Sequence, residues 1–229
     1  MKNSRLEVLR QRMPQIPGIL GRDEYHSSAI LVPLIYLEGE EHFLFEKRAP
    51  YIRQGSEVCF PGGHVDHSND SDGLETALRE VEEELGLARE MVDVIGQLDT
   101  LVSPRGIIVE CFLGVLKLED VGSLTLDSEE VDEVFTVPVS WFYHNPPEVY
   151  RTRVEIQSSY VDGDGKKHIL LPVEELGLPR HYKDNRSEWM KRVVVYRRKP
   201  DIIWGLTAAI VENVVTTALP QNSEPERMV

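Results

Sequence analysis

The chain has 229 residues, a formal net charge of −14 and a hydrophobic content of 41%. A chain of this length can bury one sizeable core, and its hydrophobic content excludes an intrinsically disordered protein. The acidic charge argues against polyanionic partners, so we expect neither nucleic acid nor an acidic membrane surface as a partner. No apolar run reaches the length of a membrane span.

The first part of the chain, residues 1–25, is expected to contain a short helix and a linker. Residues 5–13 are predicted to form an amphipathic helix, which the two prolines that follow would end. The N-terminus lacks the apolar stretch of a secretion signal. Cys59 and Cys111 lie in apolar, strand-like surroundings, which is typical of buried reduced thiols. Together these features predict a cytoplasmic protein.

Apolar and β-branched runs separated by short turns predict the strands of a sheet. The turn at residues 38–41 lies between two such runs and predicts a hairpin. A second hairpin is expected around Asp162-Gly163-Asp164-Gly165. The predicted strands span residues 28–37, 42–47, 57–60, 94–102, 107–118, 131–137, 149–157 and 167–171.

A well-delimited helix is expected to follow the third strand and the glycines at positions 62 and 63. Asp72 can cap the N-terminus of this helix, and Glu75 stands where the return partner of a capping box is expected. Gly86 occupies the position of a left-handed C-cap residue. An apolar stripe can face the core, and it consists of Leu74, Ala77, Leu78, Val81 and Leu85.

The same helix carries a cluster of carboxylates. Glu80, Glu83 and Glu84 are three or four residues apart and are expected to share one face. Carboxylates crowded together repel one another, and a divalent cation removes that repulsion. Oxygen ligands favour Mg²⁺ or Mn²⁺, to which the backbone carbonyl of Gly63 can add a further ligand. Arg79 precedes Glu83 by one helical turn and is expected to pair with it.

The second half of the chain is predicted to continue the alternation of strands and helices. A short helix is expected at residues 139–143, and a longer helix at residues 201–218. Interleaved strands and helices joined by short loops predict an α/β fold with a mixed sheet between helix layers. The main domain is therefore expected to span residues 26–218, followed by a flexible tail at residues 219–229.

One stretch, residues 178–200, is basic in an otherwise acidic chain. Between Arg180 and Lys199 there are eight Lys or Arg residues against two acidic residues, and His181, Tyr182 and Trp189 are interleaved with them. We interpret this stretch as an inserted segment. Our hypothesis is that it helps to bind a second phosphate group, such as a nucleotide 3′-phosphate, and the alternative is a solvated face or a subunit contact.

The segment from Arg79 to Leu87 resembles the Nudix box, the signature of the Nudix hydrolase family. It matches the second half of the box, Arg-Glu-apolar-x-Glu-Glu-x-Gly-apolar, at every position. The first half differs, because its acidic position falls on Ser71, between Asp70 and Asp72, and the loop after Gly63 is longer than in the pattern. The resemblance implies an α/β/α sandwich with a mixed sheet.

The resemblance extends to the coenzyme A diphosphatase branch of the family. Residues 48–53 are similar to the Arg-Ser-x-x-Leu-Arg motif of that branch. Gly55 and residues 57–63 are similar to its Gly-Gln/Glu-Val-x-Phe-Pro-Gly-Gly motif. Further similarity lies at residues 129–135 and 203–208. The linker between Arg53 and Glu57 is shorter than in the branch and lacks its usual histidine.

The resemblance implies metal-dependent hydrolysis of coenzyme A or acyl-coenzyme A to 3′,5′-ADP and (acyl-)phosphopantetheine. Arg79, Glu80, Glu83 and Glu84 are the implied catalytic residues, and Gly63 with the three glutamates is the implied Mg²⁺ or Mn²⁺ site. Arg48 and Arg53 are candidates for substrate binding. The general base stays open among Glu83 and three acidic residues of a later loop, which are Glu129, Glu130 and Glu133.

Two other functions stay open at this point. One is a Nudix pyrophosphatase for another nucleotide, such as ADP-ribose or NADH, which the altered linker and loop favour. The other is a non-catalytic nucleotide-binding protein on the same scaffold, which the intact Arg79, Glu80, Glu83 and Glu84 argue against. A homodimer is compatible with the family resemblance, but no residue pattern specifies one.

Overall fold

The structure is a computed structural model that describes residues 5–15, 18–183 and 189–218. The predicted tail at residues 219–229 lies outside the described residues. The helices are α1 (Arg5–Arg12), α2 (Gly73–Leu85), α3 (Val139–His144) and α4 (Gly205–Asn213), which continues as a π-helical turn, Val214–Ala218. The first strands are β1 (His26–Leu37), β2 (Glu40–Arg48), β3 (Val58–Cys59), β4 (Gly62–His64), β5 (Val92–Gln97), β6 (Leu101–Ser103) and β7 (Ile107–Leu116). They are followed by β8 (Val131–Pro138), β9 (Glu148–Val154), β10 (Ser159–Val161), β11 (Lys167–Ile169), β12 (Trp189–Arg197) and β13 (Ile202–Trp204).

Strands β1 to β8 form one mixed sheet that lies between helices. Its main path runs β3-β2-β1-β7-β5, with β4 paired to β1, β6 to β7 and β8 to β2. Strands β1 and β7 run parallel, whereas the other pairs in this sheet are antiparallel. Helix α2 packs on one face, and α3 and α4 pack on the other. The predicted α/β/α sandwich with a mixed sheet is therefore confirmed.

Strand β2 shows how the sequence divides its side chains between the two faces. Successive side chains of a strand point to opposite faces. Phe43 and Phe45 are fully buried in the core under α4, and the ring of Phe45 stacks on that of Phe60 with centroids 4.9 Å apart. Leu44, between them, is buried in the core under α2 with Val81 and other helix residues. Even-numbered residues of β2 therefore face α2.

The end of the chain differs from the prediction. The helix expected at residues 201–218 begins only at Gly205, because residues 202–204 form β13. Ile203, which lies within the range of the predicted helix, is a fully buried strand residue that pairs with Tyr196 of β12. The hydroxyl of Thr207 donates a hydrogen bond to the carbonyl of Val58 (3.0 Å), which connects α4 to β3.

The basic segment contains a strand that was not predicted, and the second hairpin differs from expectation. Residues 189–197 form β12, which pairs along β9, so part of the basic segment is a core strand with buried Val194 and Tyr196. Strand β9 therefore does not form the predicted hairpin. The hairpin around Asp162-Gly163-Asp164-Gly165 joins the shorter strands β10 and β11 instead. Residues 184–188 of the basic segment lie outside the described residues.

Two smaller predictions can be compared with the structure. The N-terminal helix forms, but it has no buried residue and its Leu6 and Leu9 are exposed. The single strand predicted at residues 94–102 is divided into β5 and β6. Within the described part of the chain, no helix is long and apolar enough to cross a membrane.

Candidate active site

Helix α2 is held at both ends by the residues that the sequence indicated. Asp72 accepts a hydrogen bond from the backbone N–H of Glu75 (3.0 Å), and Gly86 adopts the left-handed conformation with φ 63° and ψ 25°. The return bond of the capping box is absent here, because the Glu75 carboxylate pairs with Arg89 (3.0 Å) instead. The helix is thus fixed in register against the sheet.

The two glycines before the helix are required by close contacts. Gly62 has φ 154°, and a Cβ there would lie 2.5 Å from the carbonyl oxygen of Ala29. A Cβ on Gly63 would lie 2.2 Å from Oε1 of Glu80. Both glycines lie at the start of β4, and they let this strand approach both β1 and the carboxylate of Glu80.

Glu84 is the deepest of the predicted site residues. It is 2% exposed, and its Oε2 accepts a hydrogen bond from the backbone N–H of Gly62 (2.9 Å). Burial raises the pKa of this carboxyl to about 8, and the charges of Glu80 and Glu130 act in the same direction. A buried carboxylate among other carboxylates is a site where bound positive charge is strongly favoured.

Arg79 organises the other two glutamates of the helix. Its Nη1 donates to Oε1 of Glu80 (2.9 Å) and to Oε2 of Glu83 (2.8 Å), so the predicted pairing with Glu83 is present. Its Nη2 also points to the backbone carbonyl of His64 (3.4 Å) in β4. Burial raises the pKa of Glu80, while Arg79 opposes that shift. Arg79 therefore links helix α2 to strand β4.

The guanidinium of Arg79 is itself held by Asp70. Nε donates to Oδ1 and Nη2 to Oδ2 of Asp70, both at 3.1 Å, in a bidentate pair. The hydroxyl of Thr76 donates to the same carboxylate (2.8 Å). Sequence counting placed the acidic position of the signature on Ser71, and the structure shows that Asp70 supplies the acid that contacts the arginine.

Replacing Asp70 with Asn is expected to lower the free energy of unfolding by about 2 kcal/mol at pH 7, the usual size for a charge-assisted hydrogen bond. The bonds from Arg79 and Thr76 lower the pKa of Asp70 to about 2, below its ordinary value of 3.8. A lowered pKa contributes stability above the unfolded value and loses it as the pH falls toward the folded value. Urea unfolding at pH 7 and pH 3 checks this, because the difference between Asp70→Asn and wild type must shrink at the lower pH. A difference independent of pH would contradict the assignment.

The three glutamates do not lie on one equally open face. The Glu84 side chain is buried against β4, whereas the Glu83 side chain is 57% exposed. Within the described residues, no three acidic, histidine or cysteine side chains already converge in a metal-binding geometry. The three glutamates do not converge because the guanidinium of Arg79 binds Glu80 and Glu83, whereas the backbone N–H of Gly62 binds Glu84.

These residues nevertheless fit a hard divalent cation by the chemistry of their donors. Each contact described above uses one oxygen of a carboxylate, so the other oxygen of Glu80, Glu83 and Glu84 remains available. The raised pKa values of Glu80 and Glu84 show that the protein places carboxylates where water solvates them poorly. Oxygen donors of this kind suit Mg²⁺ and Mn²⁺.

The two candidate substrate arginines lie in different surroundings. Arg48 ends β2 on the face toward α2, and its charge acts on both Glu84 and Glu46 to lower their pKa. Its Nε donates to the backbone carbonyl of Arg53 (3.3 Å). Arg53 is exposed on the loop that follows. Arg48 is thus close to the carboxylates, and Arg53 shapes the loop beside it through its backbone.

The structure separates the candidates for a general base. Glu130 is exposed, and its charge acts on Glu80, Glu84 and Glu46. The backbone of Glu130 accepts a hydrogen bond from Ala49 (2.8 Å), which holds the acidic loop beside the end of β2. Glu133 instead pairs with Lys47 (2.9 Å), and odd-numbered residues of β2 face α4. Of Glu130 and Glu133, Glu130 is therefore the one placed at the carboxylates.

A cleft of about 490 Å³ opens beside Arg79, Glu80 and Glu83. His64 and His67 are among the residues that line it. His64 ends β4, whereas His67 lies in a turn. The other lining residues are Val65, Asp66 and Asn69. The cleft therefore opens on the exposed side of the carboxylate cluster, at Glu80 and Glu83.

A second cleft, of about 560 Å³, lies between β3 and the strands β12 and β13. Lys47, Tyr150, Arg197 and Trp204 are among the residues that line it. Within the described part of the basic segment, Arg197 lines this cleft together with Val195 and Pro200. Several cations of that segment have acidic partners in the chain, namely Lys183 with Glu174, Arg192 with Glu212, Arg197 with Glu148, and Arg198 with Asp201.

The chain is similar to several known proteins. A family model described as the NUDIX domain matches residues 25–157. The human protein named mitochondrial coenzyme A diphosphatase is 32% identical over 202 residues, which cover 87% of this chain and 72% of that protein. A mouse peroxisomal coenzyme A diphosphatase is 37% identical over 131 residues, which cover 57% of this chain and 53% of the relative. A crystal structure of a C. elegans Ap4A hydrolase binary complex has 24% identity and a TM-score of 0.42, over 49% of this chain and 80% of that chain.

Proposed function

The chain belongs to the Nudix hydrolase family, and we propose that it hydrolyses coenzyme A or acyl-coenzyme A. The products would be 3′,5′-ADP and (acyl-)phosphopantetheine. The single observation that supports a diphosphate-cleaving site is the cluster of three glutamates around Arg79 and the Gly62–Gly63 strand. Glu84 in this cluster is buried, Glu80 is partly buried and Glu83 is exposed. Two relatives named coenzyme A diphosphatases support the choice of substrate.

Glu80, Glu83 and Glu84 would hold the divalent cation, with the carbonyl of Gly63 as a further candidate ligand. When bound, such a cation neutralises the charge of the diphosphate and lowers the pKa of a bound water molecule. The chain itself fixes the carboxylates in advance. Arg79 orients Glu80 and Glu83, and the N–H of Gly62 orients Glu84.

Glu130 is our candidate for the residue that accepts the proton of the attacking water. It is exposed, so it can reach a substrate, and its charge already acts on the carboxylates of the site. Arg48 is our candidate for a contact with the diphosphate, because it lies near the same carboxylates and has a permanent positive charge. Water would add to one phosphorus, and the bridging oxygen would leave with the other phosphate.

The test is to incubate the purified protein with Mg²⁺ or Mn²⁺ and a panel of substrates, namely coenzyme A, acetyl-coenzyme A, ADP-ribose, NADH and deoxynucleoside triphosphates. Chromatography should show 3′,5′-ADP released from the coenzyme A compounds alone. Cleavage of ADP-ribose or NADH in preference would retain the chemistry and replace the substrate. No cleavage across the panel would support the non-catalytic alternative.

The basic segment yields a narrower prediction about the substrate. Arg197 lines the second cleft, so Arg197→Gln is expected to raise the KM for coenzyme A about fivefold if this side chain contacts the 3′-phosphate. Dephospho-coenzyme A is the matched control substrate because it lacks only that phosphate. Its KM should not change. Equal KM shifts for both substrates, or none for either, would eliminate this role.

Cellular location and assembly remain proposals. The relatives above carry the words mitochondrial and peroxisomal in their names. We retain the cytoplasm as the predicted location, and fractionation of cells that express the protein tests it. A homodimer is likewise a prediction, which the mass measured by light scattering tests.

A further inference from the structure

Glu46 is a buried carboxylate that the mechanism above does not use. It lies in β2, is 1% exposed, and its Oε1 has no hydrogen-bond partner within the described residues. Its other oxygen lies 4.0 Å from the Sγ of Cys59, which is a weak donor. An unpaired buried carboxylate is costly, so such a group calls for a partner that the described part of the chain does not provide.

Strand geometry places Glu46 on the same side of the sheet as the predicted site. Leu44 packs in the core under α2, and Glu46 follows it on the same face because strand side chains alternate. Val134, opposite Glu46 in β8, packs against that same core. On the other side, Glu46 pairs with Cys59, shortly before the Gly62 that binds Glu84.

The electrostatics of Glu46 agree with this placement. Burial raises its pKa well above the ordinary value, and the charges of Glu84, Glu80 and Glu130 contribute in the same direction. Arg48 partly offsets them. Glu46 thus interacts with Glu80 and Glu84, two of the three carboxylates that are proposed to hold the divalent cation.

We propose that Glu46 is a further carboxylate ligand of the divalent cation and adds an oxygen from the sheet to those supplied by helix α2. This inference rests on the proposed function, since it extends the metal site described there. The cation is the partner that Oε1 lacks, and it relieves the repulsion between Glu46 and Glu84. Neither the Nudix signature nor the similarity to the coenzyme A diphosphatase branch points to this residue.

The test measures Mn²⁺ binding directly, without substrate, by isothermal titration calorimetry and by the electron paramagnetic resonance signal of free Mn²⁺. Glu46→Gln is the informative variant, because an amide has the shape of a protonated carboxyl group but binds a hard cation poorly. We expect its Kd for Mn²⁺ to rise about tenfold or more. A Kd within twofold of wild type would show that Glu46 is a neutral, space-filling acid and would overturn the proposal.

Two further variants make the result interpretable. Glu82→Gln is the control, because Glu82 lies on α2 but pairs with Arg89 (2.8 Å), and it should leave the Kd unchanged. Glu46→Leu is a second replacement of similar volume, expected to fold and to weaken Mn²⁺ binding as Glu46→Gln does. An equal loss in Glu82→Gln would mean that any lost charge weakens binding, and it would refute a specific ligand.

Failure of this inference can be separated from failure of the proposed function by Glu84→Gln. Lost binding in Glu84→Gln together with normal binding in Glu46→Gln would remove Glu46 from the site and leave the proposed function standing. Normal Mn²⁺ binding in both variants would mean that the cation binds elsewhere, which would overturn both. Weakened binding in both variants is the expected result.

Discussion

Replacing Glu84 with Gln is expected to lower metal-dependent kcat by about a thousandfold while the protein stays folded. A ligand that contributes several kcal/mol to stabilising charge in the transition state has an effect of this size. The amide is isosteric, and its oxygen can still accept the hydrogen bond from Gly62. Steady-state turnover of coenzyme A with saturating Mg²⁺ measures the effect.

The stability of the Glu84→Gln variant without metal provides the control. The pKa of Glu84 is raised to about 8, so the metal-free protein loses stability as the pH rises from 4.5 toward 8. Gln has no charge to bury, so the variant should have a Tm at pH 8 equal to or above that of wild type. Retained activity would refute the ligand assignment, and a low Tm would show that Glu84 serves the fold instead.

Replacing Gly63 with Ala is expected to reduce kcat by about a hundredfold and to change stability little. The new Cβ would lie 2.2 Å from Oε1 of Glu80, which is the end of a flexible side chain and can move away. Moving that oxygen takes Glu80 from its contact with Arg79 (2.9 Å) and from its place in the site. A misplaced group at a reaction centre typically costs about this much. Thermal unfolding and kcat are measured on the same preparation.

Gly62→Ala is the matched comparison, and we expect the opposite balance of effects. Here the Cβ would meet backbone atoms, the carbonyl oxygen of Ala29 at 2.5 Å and the Cα of Ile30 at 2.7 Å, at a φ of 154°. Backbone cannot move aside cheaply, so Gly62→Ala should lower the free energy of unfolding by about 3 kcal/mol. If both variants lost stability equally, the distinction between a structural and a site glycine would be wrong.

The parts of the structure that depend on neighbouring residues were predicted well from the sequence. Asp72 and Gly86 delimit α2 as expected, because a cap is formed by residues within a single turn of the helix. The pair between Arg79 and Glu83 follows from helical spacing alone. The same local reasoning gave most of the strand and helix order of residues 26–144, but it did not predict β4 and it joined β5 and β6 into one strand.

The errors arose where distant segments meet. The pairing of β12 with β9 joins strands separated by a long stretch of chain, and no local pattern specifies it. Because the loop before α2 is longer than in the signature, counting residues pointed to position 71, whereas Asp70 is the residue that contacts Arg79. Which face of α2 is open was also unpredictable, because the burial of Glu84 depends on where β4 lies.

Glu46 was missed although the sequence contained a signal for it. It stands in an alternating strand where Leu44 predicts an inward-facing position two residues later. A carboxylate at an inward position of a strand beside a predicted metal site is a candidate ligand, whereas we interpreted that strand only as a sheet element. The alternation of side chains along a strand therefore predicts which polar residues face the core, as well as which apolar residues do.

The most direct test of the central claim is mass spectrometry of the products formed from coenzyme A with Mg²⁺ and, separately, with excess EDTA. The proposed function predicts equal amounts of 3′,5′-ADP and 4′-phosphopantetheine, formed only in the presence of metal, with one oxygen from solvent water in the products. The absence of metal-dependent cleavage of coenzyme A would contradict that claim.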